Sequence, residues 1–325
     1  RRRWCGSRAN RPARAGYSFE SRALCMERTP GEIFASRQND IIEDRAECIN
    51  LNLLALRGGK PYIQARLERH PCESDVSWDG GAAAEGIGGR LNGAKGRKDR
   101  AYLINYASRI AMKRNQYVFG QGIKRAGADQ DFLDDADLHG TTANGIMQQL
   151  SAFQDAAGWS WLQVDAPAMP TDEAGNPVPR SRADKEASRA RVFWKPWPAD
   201  SVPDWKFKAD GTLSWIITAG ETIVDDDPTK EAVEIEVRTL WLSDGSFIRY
   251  HITEGERGKK TVTVASEGRM SVPACPFIVC GNPSSEPIPF DDIERIQSQL
   301  LNLGSAHSEN LLQTVYPQLV LPATI

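Results

Sequence analysis

No apolar run in the 325-residue sequence is long enough to span a bilayer, and no signal-like apolar block follows its basic start. A membrane span and a secretory leader are therefore not read from it; a soluble chain of cytoplasmic type is expected. Histidine is scarce, at four residues, and no Cys-x-x-Cys pair occurs, so there is little from which to build a zinc or mixed metal site. The six cysteines, Cys5, Cys25, Cys48, Cys72, Cys275 and Cys280, are scattered and read as reduced and structural. His70, His139, His251 and His307 stand apart from any metal-ligand motif. Ser160 is not in a G-x-S-x-G turn, and neither zinc-protease nor kinase signatures are present. No catalytic, cofactor-binding or metal residue is assigned on these grounds, and the chain reads as a scaffold rather than an enzyme. A formal charge of only -3 removes any overall basicity that would recruit nucleic acid, but a local patch or ring could still do so.

What is present is a globular composition, 40% hydrophobic and 26% charged, in a chain long enough for one large or two medium domains. Arg1, Arg2, Arg3, Arg8, Arg11 and Arg14 precede the first acidic residue, Glu20. This arm, residues 1–38, is a candidate nucleic-acid contact whose affinity would fall steeply with salt. It reads equally as a solvated tail, or as sequence upstream of a natural start, since residue 1 is not Met.

Residues 39–165 read as mainly helical. Ile41, Ile42, Cys48, Ile49 and Leu53 predict a helix over Asn39 to Leu56, ended by Gly58-Gly59, with a second modest helix or turn from Pro61 to Arg69. A glycine-rich insertion at 79–96 contains GGRLNGAK (Gly88 to Lys95), which lacks the Gly-Lys-Ser/Thr ending of a phosphate loop. A helix is predicted over Lys98 to Gln116 through Ala101, Ile104, Ala107 and Ile110 or Ala111. Its Arg100, Arg109, Lys113 and Arg114 either face DNA or form a solvated face. Asp129, Asp131, Asp134, Asp135 and Asp137 resemble an acidic metal centre but lack calcium-loop spacing, so helix capping or solvation is the plainer reading. The next helix is predicted from Thr141 or Thr142 to Ala157, with Ile146, Leu150, Phe153 and Ala157 on one side and Gly158 as its stop; a buried strand, Trp159 to Val164, follows.

Residues 166–285 read as sheet-rich. After a polar, turn-rich Pro167 to Arg191, the stretch Val192 to Trp215 holds four of nine tryptophans and three prolines. It reads as an irregular crossing segment pinned by its rings and followed by a tight primed hairpin turn at Asp210-Gly211. Val233 to Trp241, Phe247 to Ile252 and the Val262-Val264 segment predict a three-stranded antiparallel meander turning at Asp244-Gly245. In residues 286–325, Asp291 is the expected cap of a helix with Glu294 three places on; Ile293, Ile296, Leu300, Leu303 and Leu311 form its apolar side. His307 between them is read as packed or hydrogen-bonded. Pro317 stops the helix before Leu319 to Leu321.

The ordered combination of Arg100 to Gly120, Ala136 to Pro167 (ending GWSWLQVDAP), Arg191 to Ile217 (with WPADSVPDWKF) and Ile288 to Ile325 resembles tailed-bacteriophage portal proteins over roughly residues 40–325. The resemblance implies an α+β fold, a portal-like wing with helices packed around an antiparallel sheet. It matches the N-terminal and wing portion; stem, clip and crown are not evident. It further implies self-assembly into a ring, usually of twelve subunits, at the capsid portal vertex of the virion, after assembly in the host cytoplasm. The implied partners are the major capsid protein, terminase, head-completion or tail-adaptor proteins and double-stranded DNA; no membrane and no cofactor are implied, and ATP hydrolysis belongs to the terminase. Two other readings stay open: a capsid or connector protein that conducts no DNA, and a metal-dependent nucleic-acid enzyme using Asp131 or Asp135.

Overall fold

The computed structural model describes residues 34–79, 96–166, 191–225, 233–254, 260–270, 274–283, 288 and 290–315, less positions 72, 74, 124, 126 and 128. Its first long helix, α1 (Asp40–Arg57), begins where Asn39 Oδ1 accepts the Ile41 amide at 3.0 Å. It ends at Gly58, whose φ of 70° suits a residue without a Cβ. Helix α2 (Gly59–Arg66) starts at once, before the proline from which it was expected. Two short turns, α3 (Asp75–Asp79) and α4 (Arg97–Arg100), precede α5 (Tyr106–Phe119).

The predicted helix over Lys98 to Gln116 is therefore corrected: residues 101–105 are not helical, and Ile104 is exposed rather than part of a buried face. The physical reason is a cap. Asn105 Oδ1 accepts the Ser108 amide at 2.9 Å and fixes the start of α5 beyond Ile104. The buried side of α5 is Ala107, Ala111 and Asn115, while Ile110 is exposed.

After α6 (Gln130–Asp134), helix α7 (Ala143–Ala157) has the limits its sequence demands: Thr142 Oγ1 accepts the Gly145 amide, and Gly158 closes it in the left-handed region, φ 88°. Strand β1 (Trp159–Asp165) follows directly. It is the centre of a three-stranded antiparallel sheet, flanked by β2 (Phe193–Pro198) and β8 (Phe277–Gly281). The tryptophan-rich stretch is thus more regular than expected. Pro196 and Pro198 are tolerated because β2 is an edge strand, where a missing amide breaks no ladder on its open side.

A second antiparallel sheet runs in the order β3 (Asp204–Phe207), β4 (Leu213–Asp225), β5 (Val233–Leu242), β6 (Ser246–Glu254) and β7 (Lys260–Arg269). The predicted meander is its last three strands. The hairpin at Asp210-Gly211 is present, but its loop is not the two-residue primed turn expected. Gly211 N–H donates to Lys208 O and Lys208 N–H to Thr212 O, so three residues bridge the strands, with Gly211 at φ 81°. Asp210 selects this loop by accepting both the amide and the hydroxyl of Thr212.

The fold is α+β, with helices packed on antiparallel sheets. Period-two alternation along β1 sends Leu162 toward Ile146 and Leu150 of α7, while Trp159 and Trp161 enter the larger core. There the Trp161 ring lies 5.3 Å from Trp205 and 6.3 Å from Phe207, and Trp241 lies 5.7 Å from Phe277. Elements distant in sequence interleave: β1 pairs with β2 and β8, and the last helix, α8 (Asp291–Val315), returns to pack against α1, α2 and α5.

Candidate assembly surface

Helix α8 carries two stripes at helical spacing, one apolar and one polar. Of the residues expected on its packed side, Ile293 does pack against the core, but Ile296, Leu300, Leu303 and Leu311 do not: they are 58%, 46%, 68% and 45% exposed. His307 lies on the same outward face and is exposed, so its reading as a packed residue is corrected too. Buried in their place are Glu294, Gln297, Ser298, Leu301 and Ser305.

The inversion is possible because nearly every buried polar group has a built partner, as burial requires. Glu294 accepts Arg66 Nε at 2.6 Å and Nη2 at 2.5 Å, a fork-on-fork pair, and Tyr62 Oη at 3.1 Å. Glu294 therefore faces inward and does not close a capping box. Gln297 Oε1 accepts the Ala107 amide that opens α5, at 2.8 Å. Asn302 exchanges hydrogen bonds with the Glu68 amide and the Arg66 carbonyl. Ser305 Oγ accepts from Arg97, and Glu309 pairs with Arg100 at 2.6 Å. Asp291, expected as the cap, is instead the first residue of α8, and its side chain accepts Asn52 Nδ2 at 2.7 Å, which ties α8 to α1.

Burial raises the Tyr62 phenol well above its ordinary range, and the neighbouring Glu294 carboxylate reinforces this. The folded protein thus keeps the Tyr62 proton after the unfolded chain releases its own near pH ~10. This contribution is complete below that pH and is lost above it, by up to ~1.4 kcal/mol per pH unit. In urea titrations, the stability difference between wild type and Tyr62→Phe is expected to narrow from pH 8 to pH 11. A difference that stays constant over that range would remove Tyr62 from the alkaline transition.

Helix α5 has a second uncovered face. Tyr106, Ile110 and Tyr117 recur on one side and are exposed, and Lys113 lies between them with its Nζ 5.3 Å from the Tyr117 ring centroid. The basic residues once grouped as one possible DNA-facing side are separated here. Arg100 is engaged by Glu309, Arg114 pairs with Asp155, and only Arg109 and Lys113 make no ion pair among the described residues.

The acidic stretch is occupied in building its own turns. Asp129 caps α6, Asp135 accepts the Gly140 amide and pairs with Arg191 at 2.6 Å, and Asp137 accepts the His139 and Thr141 amides. Burial opposes the charge on Asp137, but hydrogen bonds from Thr141 and His139 prevail and hold its carboxyl below the usual range. No group of three His, Cys, Asp or Glu side chains among the described residues is placed to hold a metal ion. The described cysteines form no disulfide, and burial pushes the Cys275 thiol up to about 11, away from nucleophilic use. No described helix is long and apolar enough to cross a membrane.

Arg1, Arg2, Arg3, Arg8, Arg11 and Arg14 lie outside the described residues, as do the phosphate-loop-like segment and Leu319 to Leu321. The outward orientation of the α8 apolar stripe was missed from sequence, although Glu294, Gln297, Ser298 and Ser305 recur as regularly as the apolar residues and were its signal. Compared with known proteins, the chain matches no family model, and no curated protein matches it.

Proposed function

We propose that this chain is the structural subunit of an oligomeric ring at a capsid vertex, a portal for packaging and ejecting the double-stranded DNA of a tailed phage. The observation that carries the reading is the orientation of α8, which satisfies a polar face within the subunit and leaves an apolar face for another body. An apolar stripe some four turns long costs solvation in a solitary subunit and is recovered when a neighbour covers it. The order of the portal-like segments supplies the second support, since it places the wing sheet between the helical portion and α8.

The subunit's work in this reading is mechanical. One contact repeated around an axis closes into a ring and leaves an axial passage. DNA moving through that passage meets the protein by its backbone, without base readout, and the arginine arm is the segment assigned to such contacts. The ring performs no chemistry of its own. Terminase, the major capsid protein and head-completion or tail-adaptor proteins dock around it.

Cryo-electron microscopy of the purified native assembly tests this. Rotationally symmetric particles around a DNA-sized hole, found at one capsid vertex in virions, are expected. A monomer, or a position on the capsid away from that axis, overturns the portal reading and brings the non-channel connector forward.

A further inference from the structure

The two sheets meet through rings at one end of their interface and through polar groups at the other. On β1 and β2, cross-strand pairing sets Trp161 opposite Trp197, Gln163 opposite Lys195 and Asp165 opposite Phe193. In the larger sheet Ile216, Trp241 and Phe247 form one row across β4, β5 and β6, and Thr218, Thr239 and Arg249 form another. Directly opposed residues share a face, so each sheet passes from aromatic to polar along the side it turns to the other. Where the polar rows meet lies a cleft of about 170 Å³.

Much of its lining is fixed by internal hydrogen bonds. Gln163 accepts the Trp197 indole N–H at 2.8 Å and donates to Asp165 at 3.0 Å, and Thr218 Oγ1 accepts the Trp241 indole N–H at 3.2 Å. Thr239 is different: it lines the cleft and is only 3% exposed, yet its hydroxyl makes no hydrogen bond among the described residues. A hydroxyl so placed gains from an acceptor that enters the cleft.

Charge and size choose that acceptor. Among the described residues the lining holds two cations, Lys195 from β2 and Arg249 from β6, and one carboxylate, Asp165 from β1. The balance is one positive charge, which suits a monoanion, and a guanidinium presents the planar donor set that carboxylates fit. Burial pushes the Asp165 carboxyl up, against hydrogen bonds from Ala166 and Gln163 and the attraction of Lys195, so the lining's own anion is held at a cost. A cavity of about 150 Å³ accepts a molecule the size of benzene, and this cleft is comparable. The indoles of Trp197 and Trp241 give such a body apolar walls.

We propose that the cleft binds a small monocarboxylate with an apolar body. The carboxylate accepts from the Thr239 hydroxyl within the field of Lys195 and Arg249, and the body lies against the two indoles. All of these residues belong to one subunit, so the site is independent of the ring reading above.

Equilibrium dialysis of the full chain against benzoate tests this, because it reads binding whatever the state of assembly. Benzoate is expected to bind at one site per chain. Benzyl alcohol and benzamidine, of similar shape but neutral and cationic, are expected to bind at least about tenfold more weakly. Thr239→Val exchanges the hydroxyl for a methyl and is expected to weaken benzoate about tenfold or more, while Thr239→Ser keeps the wild-type affinity. Lys195→Gln is expected to weaken binding, and Asp165→Asn, which removes the opposing charge, to tighten it severalfold. Thermal unfolding midpoints close to wild type separate loss of binding from loss of fold. No binding in the millimolar range, equal binding of the three probes, or benzoate affinity indifferent to Thr239→Val and Asp165→Asn overturns the site and leaves a cleft that holds water. Inorganic phosphate that binds more tightly than benzoate and responds to the same variants overturns the monocarboxylate class.

Discussion

Replacing Arg66 with Met is expected to cost about 3–5 kcal/mol of unfolding free energy, because it leaves a buried carboxylate without its cation. Glu294 has only 4% of its side chain exposed, and both of its oxygens accept from Arg66. In the variant only the Tyr62 hydroxyl remains to it. The hydrogen bond to Glu294 in turn holds the Arg66 guanidinium in its charged form. The double replacement Arg66→Met with Glu294→Leu removes both charges and is expected to recover most of the loss, since an apolar pair of similar volume needs no partner. Urea denaturation of the wild type, both single variants and the double variant measures the coupling directly. Additive losses would mean that the two side chains act independently and would refute the account given of how α8 is held.

Truncating Trp161 to Ala should lower stability by a similar amount, about 3–5 kcal/mol, through the cavity left between the two sheets. The ring is fully buried and touches Trp205 edge-on and Phe207 in a stacked arrangement. Its indole nitrogen has no hydrogen-bond partner among the described residues, so Trp161→Phe discards a buried donor that gains nothing. That variant should therefore be far milder than the alanine. Trp197 provides the contrast: its indole donates to Gln163 Oε1 at 2.8 Å, so Trp197→Phe strands an acceptor in the core. Thermal unfolding of the three proteins orders them. If Trp161→Phe is as damaging as Trp161→Ala, shape rather than the unpaired donor governs the site.

The local signals in this chain were reliable where one residue type determines one backbone state. Thr142 and Gly158 bound α7, Asp210-Gly211 and Asp244-Gly245 turn the strands, and Val237, Thr239 and Trp241 alternate inward along β5. The failures occurred where two local patterns competed. Lys98 to Gln116 has helical spacing throughout, but the Asn105 cap ends that spacing's authority at one side chain. The tryptophan-rich stretch looked irregular because of its prolines, and only its place at a sheet edge makes β2 regular. Pairing of β1 with β8 joins Ser160 to Cys280 across a long span of chain, a contact that no nearby residue announces.

By itself the sequence determined a mixture of helices and strands, the position of most elements, and the lack of any motif for metal or covalent chemistry. Those properties follow from backbone preference and from spacing within a few residues, which act wherever the rest of the chain lies. Only the tertiary structure decided which side of α8 is inside. Periodicity says that Ile296, Leu300 and Leu303 share one face and Glu294, Gln297 and Ser305 another. It does not say which face meets the body, because that depends on Tyr62, Arg66, Arg97 and Ala107, some two hundred residues away in sequence. Their donors make the polar face the buried one, and the apolar face is thereby left to whatever the subunit assembles with.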